Sequence, residues 1–211
     1  MNDSPAACRQ LIASDSARPA PARGLGPALA RLASASWLRL GGWRMAGDWP
    51  EGVKKCVLLA APHTSNWDGV NMLAAAGFYR IKLRWVGKKT LSRGPLGLIT
   101  RWAGIVPIDR AAAGTVVAEM KQAFAAAEHL VLAIAPEGTR TLATEWKKGF
   151  YNIAAGAGVP IVLSVLDYRR RTISLAAMLQ PGGDYAADWA FIRGFYVDAG
   201  PKFPARYAVP E

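Results

Sequence analysis

From residue 53 onward, short apolar, β-prone runs alternate with stretches whose apolar positions recur every three or four residues. VLLAA (57–61) precedes NWDGVNMLAAAG, a helical pattern that Gly77 is expected to close as a C-cap. LRWVG (83–87) precedes GPLGLITRWAG, where Pro95 suits a first helical turn. IVPI (105–108) precedes a helix with Val117, Met120, Phe124 and Ala127 on one face, and VLAIA (131–135) precedes one through Trp146, Phe150, Ile153 and Ala157. PIVLSVLDY and TISLAAM then flank a hairpin-like turn at Arg169, Arg170 and Arg171, followed by an amphipathic stretch with Tyr185, Trp189, Ile192 and Tyr196. Strands apolar throughout and separated by single helices predict a sheet buried on both faces. The expected fold is α/β: a single domain, its mostly parallel sheet flanked by helices, with one late strand antiparallel.

Ahead of this alternation the pattern is different. Residues 25–50 place Leu25, Leu29, Leu32 and Leu40 along one side of a helical wheel, with Arg31 turned away. Trp37, Trp43 and Trp49 crowd the end of this segment, interleaved with Arg39 and Arg44. Tryptophan and arginine suit the headgroup zone of a bilayer, so the segment reads as an amphipathic, membrane-associating helix. An N-terminal helix packed on the domain by its leucines fits the same pattern. Residues 1–24, rich in Ala, Pro, Ser and Arg, read as a disordered tail. They carry Asp3 and Asp15 and have no apolar run resembling a targeting peptide. The longest charge-free run, 149–166, is broken by Gly156, Gly158 and Pro160 and reads as helix, turn and strand rather than a membrane span.

Composition narrows the picture. The chain has 211 residues, 52% of them apolar, enough to build a core without staples. Its two cysteines, Cys8 and Cys56, show no paired spacing, which points to a reducing compartment and away from a disulfide framework or structural zinc. The formal charge is +11, and between Arg80 and Arg110 the basic residues are opposed only by Asp109. Such a zone attracts phosphate: nucleic acid, anionic lipid headgroups or a phosphorylated substrate.

In an open α/β sheet, ligands bind at the carboxyl ends of the strands. Three runs end there in polar clusters: VLLAAP in HTSNWD, IVPI in DR, and VLAIAP in EGTRT. The first cluster fits two roles. Ser65 and Asp68 form a capping signature that starts a helix, and His63 is then a loop histidine. Alternatively, His63 takes a proton from an alcohol while Asp68, on the following helical turn, holds the imidazole tautomer. No serine or cysteine nucleophile accompanies the histidine, so this second role means activation of the substrate's own hydroxyl and direct transfer. In the third cluster, Gly138 permits close backbone approach, Thr139 offers a hydroxyl and Arg140 a bidentate fork for phosphate. The two histidines, 63 and 129, supply no metal-ligand set.

Together, HxSxxD at His63, Ser65 and Asp68, GxxxxDR ending at Asp109 and Arg110, PEGTR at 136–140 and VPI at 159–161 occur in an order and spacing that resemble the glycerolipid acyltransferase superfamily, of the lysophosphatidate (1-acylglycerol-3-phosphate) acyltransferase type. The resemblance spans about residues 53–166 and makes 51–211 the acyltransferase domain. It implies acyl transfer from an acyl-CoA or acyl-carrier-protein thioester, as co-substrate, to the free hydroxyl of a lysophospholipid acceptor, with no cofactor and no metal. It further implies His63 as base, Asp68 as its orienting partner, and Lys88, Arg110, Glu137, Gly138, Thr139 and Arg140 as substrate-binding residues. Pro62, Pro107 and Ser164 depart from the family pattern, away from the proton-transfer pair. The expected setting is peripheral, on the anionic cytoplasmic face of the cell membrane, with no nucleic-acid partner. A different lipid acceptor such as a lyso-ornithine lipid, a thioester or lipid hydrolase, and a non-enzymatic membrane-binding module are the alternatives.

Overall fold

A computed structural model describes residues 9–12, 25–108 and 113–211. Eight strands form one sheet: β1 (Arg9–Leu11), β2 (Arg44–Ala46), β3 (Lys55–Ala61), β4 (Leu83–Lys88), β5 (Ile105–Ile108), β6 (Leu130–Ile134), β7 (Ile161–Asp167) and β8 (Thr172–Leu179). The order across the sheet is β1-β8-β7-β3-β6-β4-β5, with β2 also paired to β8. Strands β7, β3, β6, β4 and β5 run parallel, and β8 returns antiparallel beside β7. The all-apolar runs, the helices between them and the late antiparallel strand thus stand as the hydrophobic pattern implies.

Six α-helices accompany the described strands: α1 (Leu25–Leu40), α2 (Asn66–Tyr79), α3 (Gly94–Trp102), α4 (Ala113–Ala126), α5 (Gly149–Ala157) and α6 (Tyr185–Arg193). Successive side chains of a strand point to opposite faces, and β3 shows what each face meets. Val57, Leu59 and Ala61 enter a core with Met120 and Phe124 of α4, Phe150 and Ile153 of α5 and Ile192 of α6. Cys56 and Leu58 enter the opposite core with Ala76 and Tyr79 of α2 and Trp49. Burying a side chain of this size stabilises by about 1.5–3 kcal/mol, so β3, closed on both faces, is a rigid base for the loop that follows it. The Cys56 thiol is fully buried, which pushes its pKa upward and leaves it inert.

Three expectations change. Residues 9–11 do not belong to a disordered tail: they add strand β1 to the open edge of β8, drawn by an Arg9–Asp188 ion pair at 3.2 Å and the Phe191 ring under Arg9. The rest of 1–24 lies outside the described residues. Gly77 does not cap α2, which runs on to Tyr79 and ends with Arg80 in the left-handed region at φ 57°. Gly77 is instead where α1 presses on α2: an added Cβ would sit 2.1 Å from Ser34 Oγ. The tryptophans divide, too. Trp43 and Trp49 are buried, and only Trp37 faces outward. Helix α1 packs through Leu38 and the Ala30/Ser34 side, so its leucine stripe points away from the domain. No helix among the described residues is long and apolar enough to cross a membrane.

Candidate active site

The parallel strands deliver their carboxyl ends to one edge. His63 follows β3, Glu137 follows β6, Lys88 closes β4, and Tyr168 follows β7. Asp109 and Arg110 come directly after β5 and lie outside the described residues.

Turning from strand to helix within four residues makes His63 and Asp68 face each other. Asp68, in the first turn of α2, is buried. Its Oδ2 accepts the backbone N–H of Thr64 at 2.6 Å and of Ser65 at 2.7 Å; its Oδ1 accepts Ser65 Oγ–H and Tyr168 O–H, both at 2.7 Å. His63 Nδ1 stands 3.5 Å from Asp68 Oδ2, just beyond hydrogen-bond length, with 29% of the histidine side chain exposed. Burial alone pushes the Asp68 carboxyl up, but His63, Tyr168 and Ser65 together outweigh it and hold it below the ordinary carboxylate value. The helix-starting and histidine-facing roles of Asp68 therefore coexist in one carboxylate. An ionised acid at Nδ1 keeps that nitrogen protonated and leaves Nε2 as the free lone pair.

Glu137 completes the support from below. It is buried, and its Oε1 accepts the His63 backbone N–H at 2.8 Å, while Oε2 has no partner among the described residues. Burial raises its pKa to about 7, against a smaller opposing pull from its own and the His63 backbone N–H.

The remainder of the third cluster is an exposed turn. Gly138 adopts φ +64°, and a Cβ there would meet the Lys147 side chain at 2.9 Å. Its N–H closes the turn on Ala135 O at 3.1 Å. The Thr139 and Thr141 hydroxyls pair at 2.9 Å. Arg140 is exposed and lines a cleft of about 490 Å³ with Thr64, Ser65, Asn66 and Trp67. The structure thus brings Asp68 and Glu137 each into contact with His63, and Arg140 to the cleft lined by Thr64 and Ser65.

Several residues at this mouth carry no signal in the sequence patterns. Tyr168 reaches Asp68 from 100 positions away. Its one cue is its place directly after an apolar strand, like His63. Trp67 stacks on Trp37 of α1 at 6.3 Å, and the Lys202 ammonium stands 5.3 Å from its ring centre. Phe203 and Arg206, near the C-terminus, line the 490 Å³ cleft opposite α2. A second cleft of about 400 Å³, also bordered by Trp67, is walled by Trp37, Leu40, Trp43, Tyr168, Arg171 and Lys202. Among the described residues no group of three or more His, Cys, Asp or Glu side chains could hold a metal ion.

Comparison with known proteins agrees with this frame. The 1-acyl-sn-glycerophosphate (LPA) acyltransferase PlsC from Thermotoga maritima has a similar fold, at a TM-score of 0.52 and 15% sequence identity over 80% of this chain and 77% of that one. No curated relative matches the chain. The acyltransferase family model matches residues 48–165, which include His63, Asp68, Glu137 and Arg140. Matching more than half of its length, from the strand before the histidine to the strand before Tyr168, that span makes the chain a member of the acyltransferase family.

Proposed function

We propose that the protein transfers a fatty acyl group from an acyl-CoA or acyl-carrier-protein thioester to the free hydroxyl of a lysophospholipid, 1-acylglycerol-3-phosphate being the leading acceptor. The observation that carries this reading is the His63–Asp68 pair, its imidazole facing an acid anchored by four hydrogen bonds. His63 Nε2 takes the acceptor's hydroxyl proton as the oxygen attacks the thioester carbonyl carbon. The carbonyl oxygen carries the negative charge in the tetrahedral intermediate. Its collapse breaks the C–S bond, and the departing thiolate takes the proton back from the imidazolium. Asp68 stabilises that imidazolium without itself becoming protonated. Glu137 positions the His63 backbone, and Arg140, together with Lys88 and Arg110, attracts the substrate phosphate.

The same reading sets the enzyme peripherally on an anionic bilayer. Leu40 of α1 and Trp102 of α3 are each 89% exposed, and Leu25, Leu29, Leu32, Leu98 and Ile99 are also exposed. Between residues 80 and 102 lie seven basic residues and no acidic one. Apolar side chains for the acyl boundary beside cations for phosphates suit the negatively charged cytoplasmic leaflet. Mass analysis of lipids after incubating purified protein with acyl-CoA, mixed lysolipids and phosphatidylglycerol vesicles tests both points. Acylated lysophosphatidate with equimolar free thiol, made by vesicle-bound protein, is the expected result. Free fatty acid without acylated lipid would overturn the transfer, and full activity from protein that never floats with vesicles would overturn the membrane setting.

A further inference from the structure

The last eleven residues, 201–211, cross the mouth of the site and are stitched down along their length. Phe203 donates its backbone N–H to Thr64 Oγ1 at 3.3 Å, and Arg206 Nη1 reaches Thr64 O at 3.5 Å. Beyond them Tyr207 O–H donates to Tyr196 O, Trp146 Nε1–H to Ala208 O and Arg193 Nε–H to Pro210 O, at 3.0, 3.0 and 2.8 Å. Thr64 directly follows His63, ahead of the Ser65 cap of α2, so the strap is fastened to the catalytic loop itself. It also lies outside the span that matches the family.

What the strap brings there is charge. Arg206 and Arg140 line the same 490 Å³ cleft, whose described walls hold no carboxylate. Neither guanidinium has an acidic partner among the described residues, whereas Arg169 and Arg170 are neutralised by Asp198 and Asp167. Arg206 is oriented from beneath by the Phe203 ring, 4.8 Å from its guanidinium carbon. Two cations facing one cleft repel each other, and the cleft gains most from a ligand carrying two negative charges. A phosphate monoester carries about −1.5 to −2 at neutral pH and offers three acceptor oxygens. Planar guanidinium forks match it bidentately.

We propose that Arg206 and Arg140 form a two-arginine clamp for a phosphate monoester, with the C-terminal strap as a substrate-recognition element. The inference rests on the acyl-transfer reading only for the identity of the ligand. That ligand is either the acceptor's phosphate or the nucleotide phosphate of the donor.

The test uses the full chain and two probes in titration calorimetry, sn-glycerol 3-phosphate for the acceptor headgroup and adenosine 3′,5′-bisphosphate for the donor. One of the two is expected to bind, and to bind about 10- to 100-fold more weakly to Arg206→Gln, the usual range for losing a hydrogen bond to a charged group. Arg206→Lys, which keeps the charge but not the fork, should fall between. In kinetics, KM for the corresponding substrate rises by the same factor while kcat stays within about twofold. KM for the phosphate-free counterpart, monoacylglycerol or acyl-pantetheine, does not move. Binding of both probes independent of Arg206, or an equal loss with phosphate-free substrates, overturns the clamp. Should the protein acylate no lysolipid yet bind a probe through Arg206, the proposed function fails and the clamp stands.

Discussion

Two loops at the same sheet edge are built in opposite ways. The loop after β3 is tied down throughout: Glu137 holds the His63 backbone, and Asp68 takes the N–H groups of Thr64 and Ser65 as well as two hydroxyls. The turn after β6, from Gly138 to Thr141, is held by the Gly138 N–H on Ala135 O and by Thr139, whose hydroxyl meets the hydroxyl and N–H of Thr141, and its Arg140 is exposed. On the proposed reaction, the division follows the chemistry each loop would do. Proton transfer needs the base placed to within about 0.5 Å, so its supports are buried and over-determined. Charge attraction works over several ångströms, so the anion-facing turn needs only a cation with freedom to adjust.

The sharpest way to break this contrast is to remove the base. His63→Ala should lower kcat by about 10³-fold, within the range for general-base catalysis, while its thermal unfolding remains close to that of the wild type, because the partly exposed ring makes only the 3.5 Å contact with Asp68, which keeps four other donors. Residual turnover near normal, measured by thiol release in the presence of lysolipid, would show that the anchored loop serves the fold alone. Asp68→Asn separates the carboxylate's two jobs. An amide has one acceptor oxygen where Asp68 uses two, so both turnover and stability should fall, the latter by about 2–4 kcal/mol from unsatisfied donors. The sign of the pH dependence follows from the lowered Asp68 pKa: its contribution is present above the ordinary value of 3.8 and fades as pH drops through the folded value. Denaturation at pH 3 and pH 6 should therefore show wild type and variant converging in acid. Curves that stay parallel would remove the charge from the account.

Glu137 tests the support from below. Its folded-state pKa of about 7 lies above its ordinary 4.5, so between those values the folded protein holds a proton that the unfolded chain has lost. Stability is then greatest in acid and falls as pH rises toward 7, by up to about 3 kcal/mol at 1.36 kcal/mol per pKa unit. Glu137→Gln mimics the protonated acid and keeps an oxygen for the His63 N–H. It should flatten the decline in thermal stability between pH 5 and pH 8, and an undiminished slope in the variant would place its origin elsewhere.

How much of this was legible in the sequence depended on distance along the chain. Most local signals held: the apolar runs became strands, and Ser65 and Asp68 began a helix, although Gly77 did not end it. Position in the sheet decided what periodicity leaves open. A helical wheel shows that Leu25, Leu29, Leu32 and Leu40 share a side, but not that Ala30 and Ser34 face α2 and leave that side bare. Tryptophans resembling an interfacial belt proved to be partly core, because the turn after α1 folds Trp43 against Tyr168 at 4.8 Å. Arg206 is one basic residue among 26 until the strap sets it beside Thr64.

Tyr168 is the smallest change that still discriminates. It is adjacent to the site because β7 pairs with β3, and its hydroxyl supplies one of the four hydrogen bonds on Asp68. Burial, and then the Asp68 carboxylate, push the Tyr168 hydroxyl's pKa up, so it stays a donor across the working pH range. Tyr168→Phe removes that donor but keeps the ring edge-on to Trp43. Losing one hydrogen bond to a charged acceptor costs about 1.5–3 kcal/mol where the acceptor is sealed from water. Asp68 is buried but keeps three other donors, so the expected loss is toward the small end, a drop in kcat of about 3- to 10-fold with KM for acceptor and donor unchanged. A rise in KM alone would move Tyr168 from the proton-transfer side of the site to the substrate-binding side, joining it to the loose loop rather than the rigid one.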